Sequence, residues 1–361
     1  MNLNFKGTIK MKYKIIMQDN LSNNLARVNT NRDPMRSLIT GDNEIKSDPI
    51  TIVTTQLKIG APEAQMLDYL NMLITNKDCD SDYNAQGHVD RIYLTLNKFM
   101  KDFGLRDKKS ARKEIINRLN ALANIRVSYR KANNKPSGDY DQDAYNGGLI
   151  EFVHVAGSRI YSIHILDLLD TLIYNVGMPM PYPNLMFLLS ARYDAVAWIL
   201  LREMTLNLRM NLGKKRANRL SAKKILEVCK TLPTIDKVNG SKDRHPYRRI
   251  IEPILEAAEE IANPNFNKRL KSINPDLEGL IETYHWEDAA GNIFDWTSNF
   301  TFDEFKKSTL VVDKWNPDWL NYLNNTVGKW KIVQQKIIQK NKKKKQQKKE
   351  KCHKVELRPK N

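Results

Sequence analysis

The sequence predicts a mainly α-helical chain with small β-hairpins, an α+β arrangement in which one helical grammar is used twice before a basic C-terminal helix and tail. Three observations predict it. Apolar residues recur at helical spacing in several separate windows. Short β-branched runs bounded by polar turns follow the helices in each half. The formal net charge of +18 over 361 residues is concentrated at the C-terminus, where roughly fourteen Lys or Arg face two Glu between Lys329 and Asn361. The expected divisions are an N-terminal arm (1–50), a first unit (51–176), a second unit (184–312) and a helix with a Lys-rich tail (313–361).

The arm is polar and reads as mostly flexible, with Tyr13–Met17 able to add a strand. Ile52–Lys58 alternates as an extended lead-in. In Ala61–Thr75, Pro62 suits the first turn of a helix, and Met66, Leu67, Leu70, Leu73 and Ile74 fall on one face. Arg91–Leu94 reads as a short strand, and Thr95 as the cap of a helix carrying Leu96, Phe99, Met100 and Phe103. Gly104 can take the left-handed conformation that ends it. Ser110 is the expected cap of the next helix, which buries Ala111, Ile115, Leu119 and Leu122 and leaves Arg112 and Arg118 flanking. Ile125–Arg130 reads as a strand, Lys131–Gly147 as a polar loop, and Gly148–Val155 with Arg159–His164 as a hairpin. Three helices followed by a hairpin is the grammar of a winged helix.

Ile165–Tyr174 reads as a linking helix, and the three prolines within Gly177–Pro183 mark the expected boundary. The grammar then repeats. Tyr193–Asn211 is a strong helix, with Val196, Ile199, Leu200, Met204 and Leu208 inward. Asn218–Leu220 suits a strand, and Ser221 caps a helix with Ile225, Leu226 and Cys229. After a connection at Leu232–Gly240, the run KDRHPYRRIIEPILEAAEEIAN starts a long helix whose apolar face is Ile250, Ile251, Ile254, Leu255 and Ala258. Thr283–Glu287 and Ile293–Trp296 read as a hairpin. Pro317–Gln339 can form a helix with Trp319, Leu323, Trp330 and Val333 on one side. Its tryptophans, with Trp315, are expected to pack against the body rather than stack on bases.

Composition narrows the function. A pI near 9.6 favours a polyanionic partner. No run of eighteen apolar residues exists and the N-terminus lacks a signal-peptide pattern, so no membrane partner is expected. Cys79, Cys229 and Cys352 are isolated, which argues against a zinc site and a disulfide framework and for a reducing cytoplasm. There is no phosphate-binding loop and no H-E-x-x-H. His154 and His164 stand alone, without the paired histidines that a nicking nuclease needs for its metal. Asp78, Asp80 and Asp82 lack the glycine and distal glutamate of a calcium loop. No enzyme, metal or cofactor is expected.

Basic residues at a helix start oppose the helix dipole, so a cluster there points to function. Lys242, Arg244, His245, Arg248 and Arg249 crowd the start of the second unit's long helix. A recognition helix meets base edges with those turns; Arg can pair bidentately with guanine and Lys suits phosphate. The competing reading pairs them with Glu252, Glu256 and Glu259. Lys108, Lys109, Arg112 and Lys113 form a sparser cluster in the first unit, which could instead serve dimer formation. Arg130, Lys131 and Lys135 could form a wing over the backbone, whereas Glu287, Asp288 and Asp295 make the second hairpin acidic. These readings converge on double-stranded DNA.

The stretch LSARYDAVAWILLREMTLNLRMN through RLSAKKILEVCKTLPTIDKV to DRHPYRRIIEPILEAAEEI resembles replication initiators of plasmids and mobile elements of Firmicutes. TTQLKIGAPEAQML and FGLRDKKSARKEIINRLNALANIRVSY are similar to the same group. The resemblance implies a theta-type initiator with tandem winged helices that binds origin repeats and recruits the host helicase machinery, with a homodimer as one state. It implies that the second unit reads the repeat, through Lys242, Arg244, His245, Arg248 and Arg249. A transcriptional regulator with the same modules, a rolling-circle nicking enzyme and an RNA-binding protein led by the tail are the alternatives.

Overall fold

The computed structural model describes residues 13–18, 23, 25, 44–47, 50–54, 60–132, 140–242, 244–297 and 300–327. The chain runs β1 (Tyr13–Gln18), β2 (Glu44–Ser47), β3 (Ile50–Thr54), α1 (Ala61–Asn76), β4 (Asp80–Tyr83), β5 (Val89–Thr95), α2 (Leu96–Asp102), α3 (Lys108–Ala123), β6 (Ile125–Ala132), β7 (Tyr140–Gly148), β8 (Ile150–His154) and β9 (Ile160–Ile165). It continues through α4 (Asp167–Thr171) and a π turn (Leu172–Val176) to β10 (Met178–Pro183), α5 (Leu185–Leu188), α6 (Ala195–Met210), β11 (Arg219–Ser221), α7 (Ala222–Val228) and α8 (Ile235–Asn239). A second π turn (Tyr247–Ile251) leads into α9 (Glu252–Ala262), followed by α10 (Lys268–Ile273), β12 (Ile281–Glu287), α11 (Phe302–Lys307), β13 (Thr309–Trp315) and α12 (317–327). The mixed α+β character expected from sequence holds, with more strand than hairpins alone.

The two halves share one order of elements. In the first, α1, β5, α2, α3, β8 and β9 come in that order, with β4, β6 and β7 interposed, and the sheet runs β5-β9-β8 with β4 added outside β5. In the second, α6, β11, α7, α9, β12 and β13 come in the matching order, with α8, α10 and α11 interposed and the sheet running β11-β13-β12. Each sheet therefore places its last strand between the first and the middle one.

Local chemistry explains most of these elements. The Thr95 hydroxyl accepts from the Lys98 N–H at 3.2 Å and starts α2. Gly104 ends that turn at φ +62°, a conformation that costs other residues a Cβ clash. The cap of α3 is Asp107, not Ser110: its carboxylate accepts from the Ser110 N–H at 2.7 Å, and Ser110 lies inside the first turn. An aspartate at that place also favours the helix dipole. Ala111, Ile115, Leu119 and Leu122 are all fully buried, as their spacing predicts. Ser221 caps α7 through the Lys224 N–H.

Other expectations are corrected. The polar stretch 131–147 is not one loop, because β6 extends to Ala132 and Tyr140–Gly148 pairs with it. Strand partners outweigh a composition rich in Asp, Asn and Gly. The main partner of β12 is β13, with His285 opposite Val311; Ile293 meets Glu287 only through an isolated bridge. Strand β13 crosses the expected 312/313 division. The long helix begins at Pro246 rather than at Lys242, proline being suited to a first turn. The connection before it holds α8. Arg118 is buried, not flanking.

The proline-rich segment read as a boundary is strand β10, paired antiparallel with β1 so that Tyr13 faces Pro183 and Met17 faces Pro179. Pro179, Pro181 and Pro183 alternate, so the donors they lack all lie on one edge and the other remains free to pair. The outer edge of β1 is covered by side chains of α1. Asn71 exchanges hydrogen bonds with both the N–H and the C=O of Met17, at 2.8 and 2.6 Å. Asn76 does the same with Ile15 at 3.2 and 2.7 Å. Two asparagines thus stand in for a missing strand.

Apolar packing is continuous between the halves. Tyr69 of α1 meets Phe99, Phe103 and Phe187 edge-on, with centroids 6.0, 5.0 and 5.3 Å away. Tyr13 of β1 lies 5.3 Å from both Trp319 and Tyr322 of α12. Trp315 and Trp319 are buried, which agrees with packing rather than stacking on bases. A polar network crosses the same junction. Arg202 of α6 donates from Nε to Asp68 Oδ2 at 3.1 Å, and the Tyr182 hydroxyl donates to the same oxygen at 3.0 Å. Gln65 donates to the carbonyls of Met186 and Leu189, each at 2.7 Å.

Candidate nucleic-acid interface

In the second unit, two buried isoleucines fix how the long helix is presented. Ile250 and Ile251 point into the core from the π turn, followed by Ile254, Ala257, Ala258 and Ile261 of α9. The residues before and between them are left outside. Lys242, Arg244 and His245 are exposed on the approach, ahead of the first helical residue. Arg248 is exposed and Arg249 half-buried, both within the π turn. Such wide turns recur at functional positions.

The five candidates are not equivalent. Arg249 donates from Nη1 to Ser241 Oγ at 2.6 Å, and its own N–H donates to the His245 carbonyl at 3.1 Å, so it braces the approach loop. Lys242, Arg244 and Arg248 make no ion pair among the described residues. Of the carboxylates expected to compete for them, Glu259 is engaged by another element, and neighbouring Glu260 faces Asn267. Glu259 accepts from the Tyr284 hydroxyl at 3.1 Å, and Glu260 accepts from Asn267 at 3.1 Å. Desolvation by burial, then neighbouring Asp194, pushes the Glu260 pKa up to about 7.

The first unit offers the parallel arrangement. Lys108, Lys109, Arg112 and Lys113 are all exposed on the first turns of α3, again without an ion pair among the described residues. Asn117 and Asn120 continue the exposed side. The opposite face holds Arg118, whose Nη1 donates to Gln65 Oε1 at 3.0 Å while its Nη2 pairs with Glu114. The two faces of one helix thus use cations differently, one locked inward and the others turned to solvent.

Arg130 and Lys131 fall in β6, with side chains outside what is described, as is Lys135. Their hairpin belongs to the separate β2-β3-β6-β7 sheet. The hairpin that closes the first unit's own sheet is β8–β9, whose tip carries exposed Val153, His154, Val155 and Arg159. The turn after β12 is acidic, as expected: Asp288 accepts from the N–H groups of Ala290 and Asn292 at 2.8 and 2.9 Å, and its carboxyl is held below the usual range, chiefly by the Asn292 bond. Beside it, Arg219 and His285 engage Glu287. The Lys-rich tail and Trp330 lie outside the described residues.

Sequence reasoning missed one cationic feature, the turn Lys214–Lys215–Arg216 between α6 and β11. A glycine followed by three cations was its only sequence signal. Among the described residues no group of three or more metal-capable side chains converges, and no helix is long and apolar enough to cross a membrane.

No protein-family model matches the chain, and no curated protein matches it. Among solved structures, it is similar to the crystal structure of selenomethionine derivatives of domain 2 and domain 3 of RctB, with a TM-score of 0.37 and 7% identity. The match covers 68% of this chain and 84% of that one. A likeness of that degree carries no weight for function.

Proposed function

We propose that each half is a winged-helix unit and that the chain binds double-stranded DNA sequence-specifically, as a non-enzymatic replication initiator acting at origin repeats of a plasmid or phage-like element. One observation carries the DNA-binding part. In both halves exposed cations that no described carboxylate neutralises sit on the first turns of the third helix of the shared order or on the approach to it. In a winged helix that element enters the major groove.

The chemistry follows from the placement. Arg244 and Arg248 are the candidates for bidentate recognition of guanine edges, and Lys242 for phosphate. Arg249 positions the approach loop through Ser241. In the first unit, Lys109, Arg112 and Lys113 grip a neighbouring stretch of backbone. The β8–β9 tip, with His154 and Arg159, takes the wing position expected at Arg130 and Lys131. The acidic turn at Asp288 stays away from phosphate. A homodimer form and recruitment of the host helicase belong to the same reading.

The test is binding to duplex fragments from the protein's own genetic neighbourhood across a salt series, beside a Lys242→Ala, Arg244→Ala, Arg248→Ala variant. Tight binding to one repeat-bearing fragment, weakened by about 1–3 kcal/mol per base-reading arginine in the variant, supports the reading. Equal binding to every fragment, unaffected by the variant, overturns it. Replication of an origin fragment supplied with the protein then separates an initiator from a regulator built of the same units.

A further inference from the structure

The turn between α6 and β11 holds three consecutive cationic residues on a fixed backbone. Asn207 near the end of α6 donates from one amide nitrogen to the carbonyls of Arg216, Ala217 and Arg219, at 2.8, 3.0 and 3.1 Å. Asn211, one helical turn on, accepts from Arg216 Nε at 2.5 Å through its side chain, and its carbonyl accepts from the Lys214 N–H at 2.8 Å. Gly213 takes φ +81°, which lets the chain reverse between them. A 3₁₀ turn at Lys215–Asn218 completes the loop, and Asn218 is held in turn by the indole N–H of Trp315 at 3.1 Å.

The side chains of Lys214 and Lys215 are free to meet a partner, and Arg216 is held at Nε by Asn211 with the rest of its side chain exposed. Lys214, Lys215 and Arg216 are exposed, and none of them makes an ion pair among the described residues. Three like charges held adjacent repel one another, and beyond the Arg216–Asn211 bond no described contact offsets that repulsion. A frame of four side-chain hydrogen bonds under them removes the backbone part of the ordering cost that a flexible lysine run would incur on binding. A repeating anion is the ligand such an arrangement fits.

We infer that Lys214, Lys215 and Arg216 form a preorganised phosphate clamp for the backbone of duplex DNA, separate from the base-reading helix of the same unit. This rests on the DNA-binding reading above, and duplex DNA is favoured over other polyanions because the turn belongs to the unit carrying the denser candidate reading helix. The clamp fixes register and carries no sequence information.

Each neutralised phosphate steepens the fall of log K with log salt by about 0.9. A Lys214→Gln, Lys215→Gln variant of the full chain leaves the Asn207 and Asn211 bonds in place. It should therefore flatten the salt slope by about 2 while preferring the same sequence. A Lys306→Gln, Lys307→Gln variant, which removes the same charge from exposed positions of α11, is the control and should leave the slope unchanged. Unaltered melting temperatures in both variants exclude misfolding as the cause. An unchanged slope in the loop variant, or equal flattening in both, overturns the clamp while leaving the DNA-binding reading standing. A wild-type chain that binds no duplex sinks the parent reading and the clamp with it. Loss of binding to single-stranded RNA or to anionic vesicles, with duplex binding intact, reassigns the turn to that partner and also overturns the proposal.

Discussion

Replacing Arg202 with methionine should destabilise the fold by about 3–5 kcal/mol, because it strands a buried carboxylate. Arg202 and Asp68 are each 1% exposed, so neither charge can be solvated by water in place of the other. Arg202 reaches Asp68 through Nε at 3.1 Å and Nη2 at 3.3 Å, and Asn23 through Nη1 at 2.5 Å. Burial alone would lower the Arg202 pKa, and the adjacent Asp68 raises it above its ordinary value. Methionine keeps most of the side-chain volume, so the loss is electrostatic rather than a cavity. Asp68→Asn in the same background removes the stranded charge and should recover about 2 kcal/mol, a coupling within the range of contacting pairs. Urea unfolding followed by tryptophan fluorescence suits the test, since the guanidinium lies 5.9 Å from the ring of buried Trp198. Circular dichroism on the same samples checks that both halves unfold together. A loss below about 1 kcal/mol for Arg202→Met, or a double variant no more stable than additivity predicts, would refute the reasoning.

Two further outcomes follow from the local chemistry. Thr95→Ala should cost about 1 kcal/mol by removing the cap of α2, whereas Ser110→Ala should change the melting temperature little, because Asp107 holds that cap. Glu260 binds its proton more tightly folded than unfolded, so its contribution is present below the unfolded carboxylate range and is lost as pH rises through about 7. Glu260→Gln should accordingly match wild type near pH 4, below the unfolded carboxylate range, and melt higher than wild type at pH 8; the reverse order would show that Asn267 and Arg269 stabilise the ionised form instead.

The helices were the most legible part of the sequence. The burial of Leu67, Leu70, Leu73, Ile115, Leu119 and Leu200 follows from their spacing alone. Thr95 and Gly104 announced their roles because one short motif determines each. Ser110 misled because Asp107 is an equally good cap three residues earlier, and a carboxylate gains more from the helix dipole. Strands β7 and β13 were hidden for a different reason: pairing depends on a partner distant in sequence.

The site shows the same division. That cations would gather at the starts of α3 and the long helix was readable. Which of them are exposed was not. Arg118 looked like Arg112, yet Gln65 of α1 and Glu114 draw it inward. Arg202 was one more residue of an apolar helix until Asp68 was placed beside it. Glu252, Glu256 and Glu259 stood at helical spacing from the basic cluster, but Tyr284 engages Glu259 from another element. The turn at Lys214 depends on two asparagines whose spacing carries no recognisable motif.

Strand β1 leaves the ribosome well before the strand it pairs with, because Tyr13 waits for Pro183. At about 5–20 residues per second, on the order of ten to thirty seconds separate their synthesis. Through that interval Ile16, fully buried at the end, has no strand beside it, and Asn71 and Asn76 have only one side of a sheet to hold. The first half therefore cannot close during translation until β10 has emerged. A nascent chain stalled before Met178 leaves β1 with the asparagines of α1 on one edge and no strand on the other.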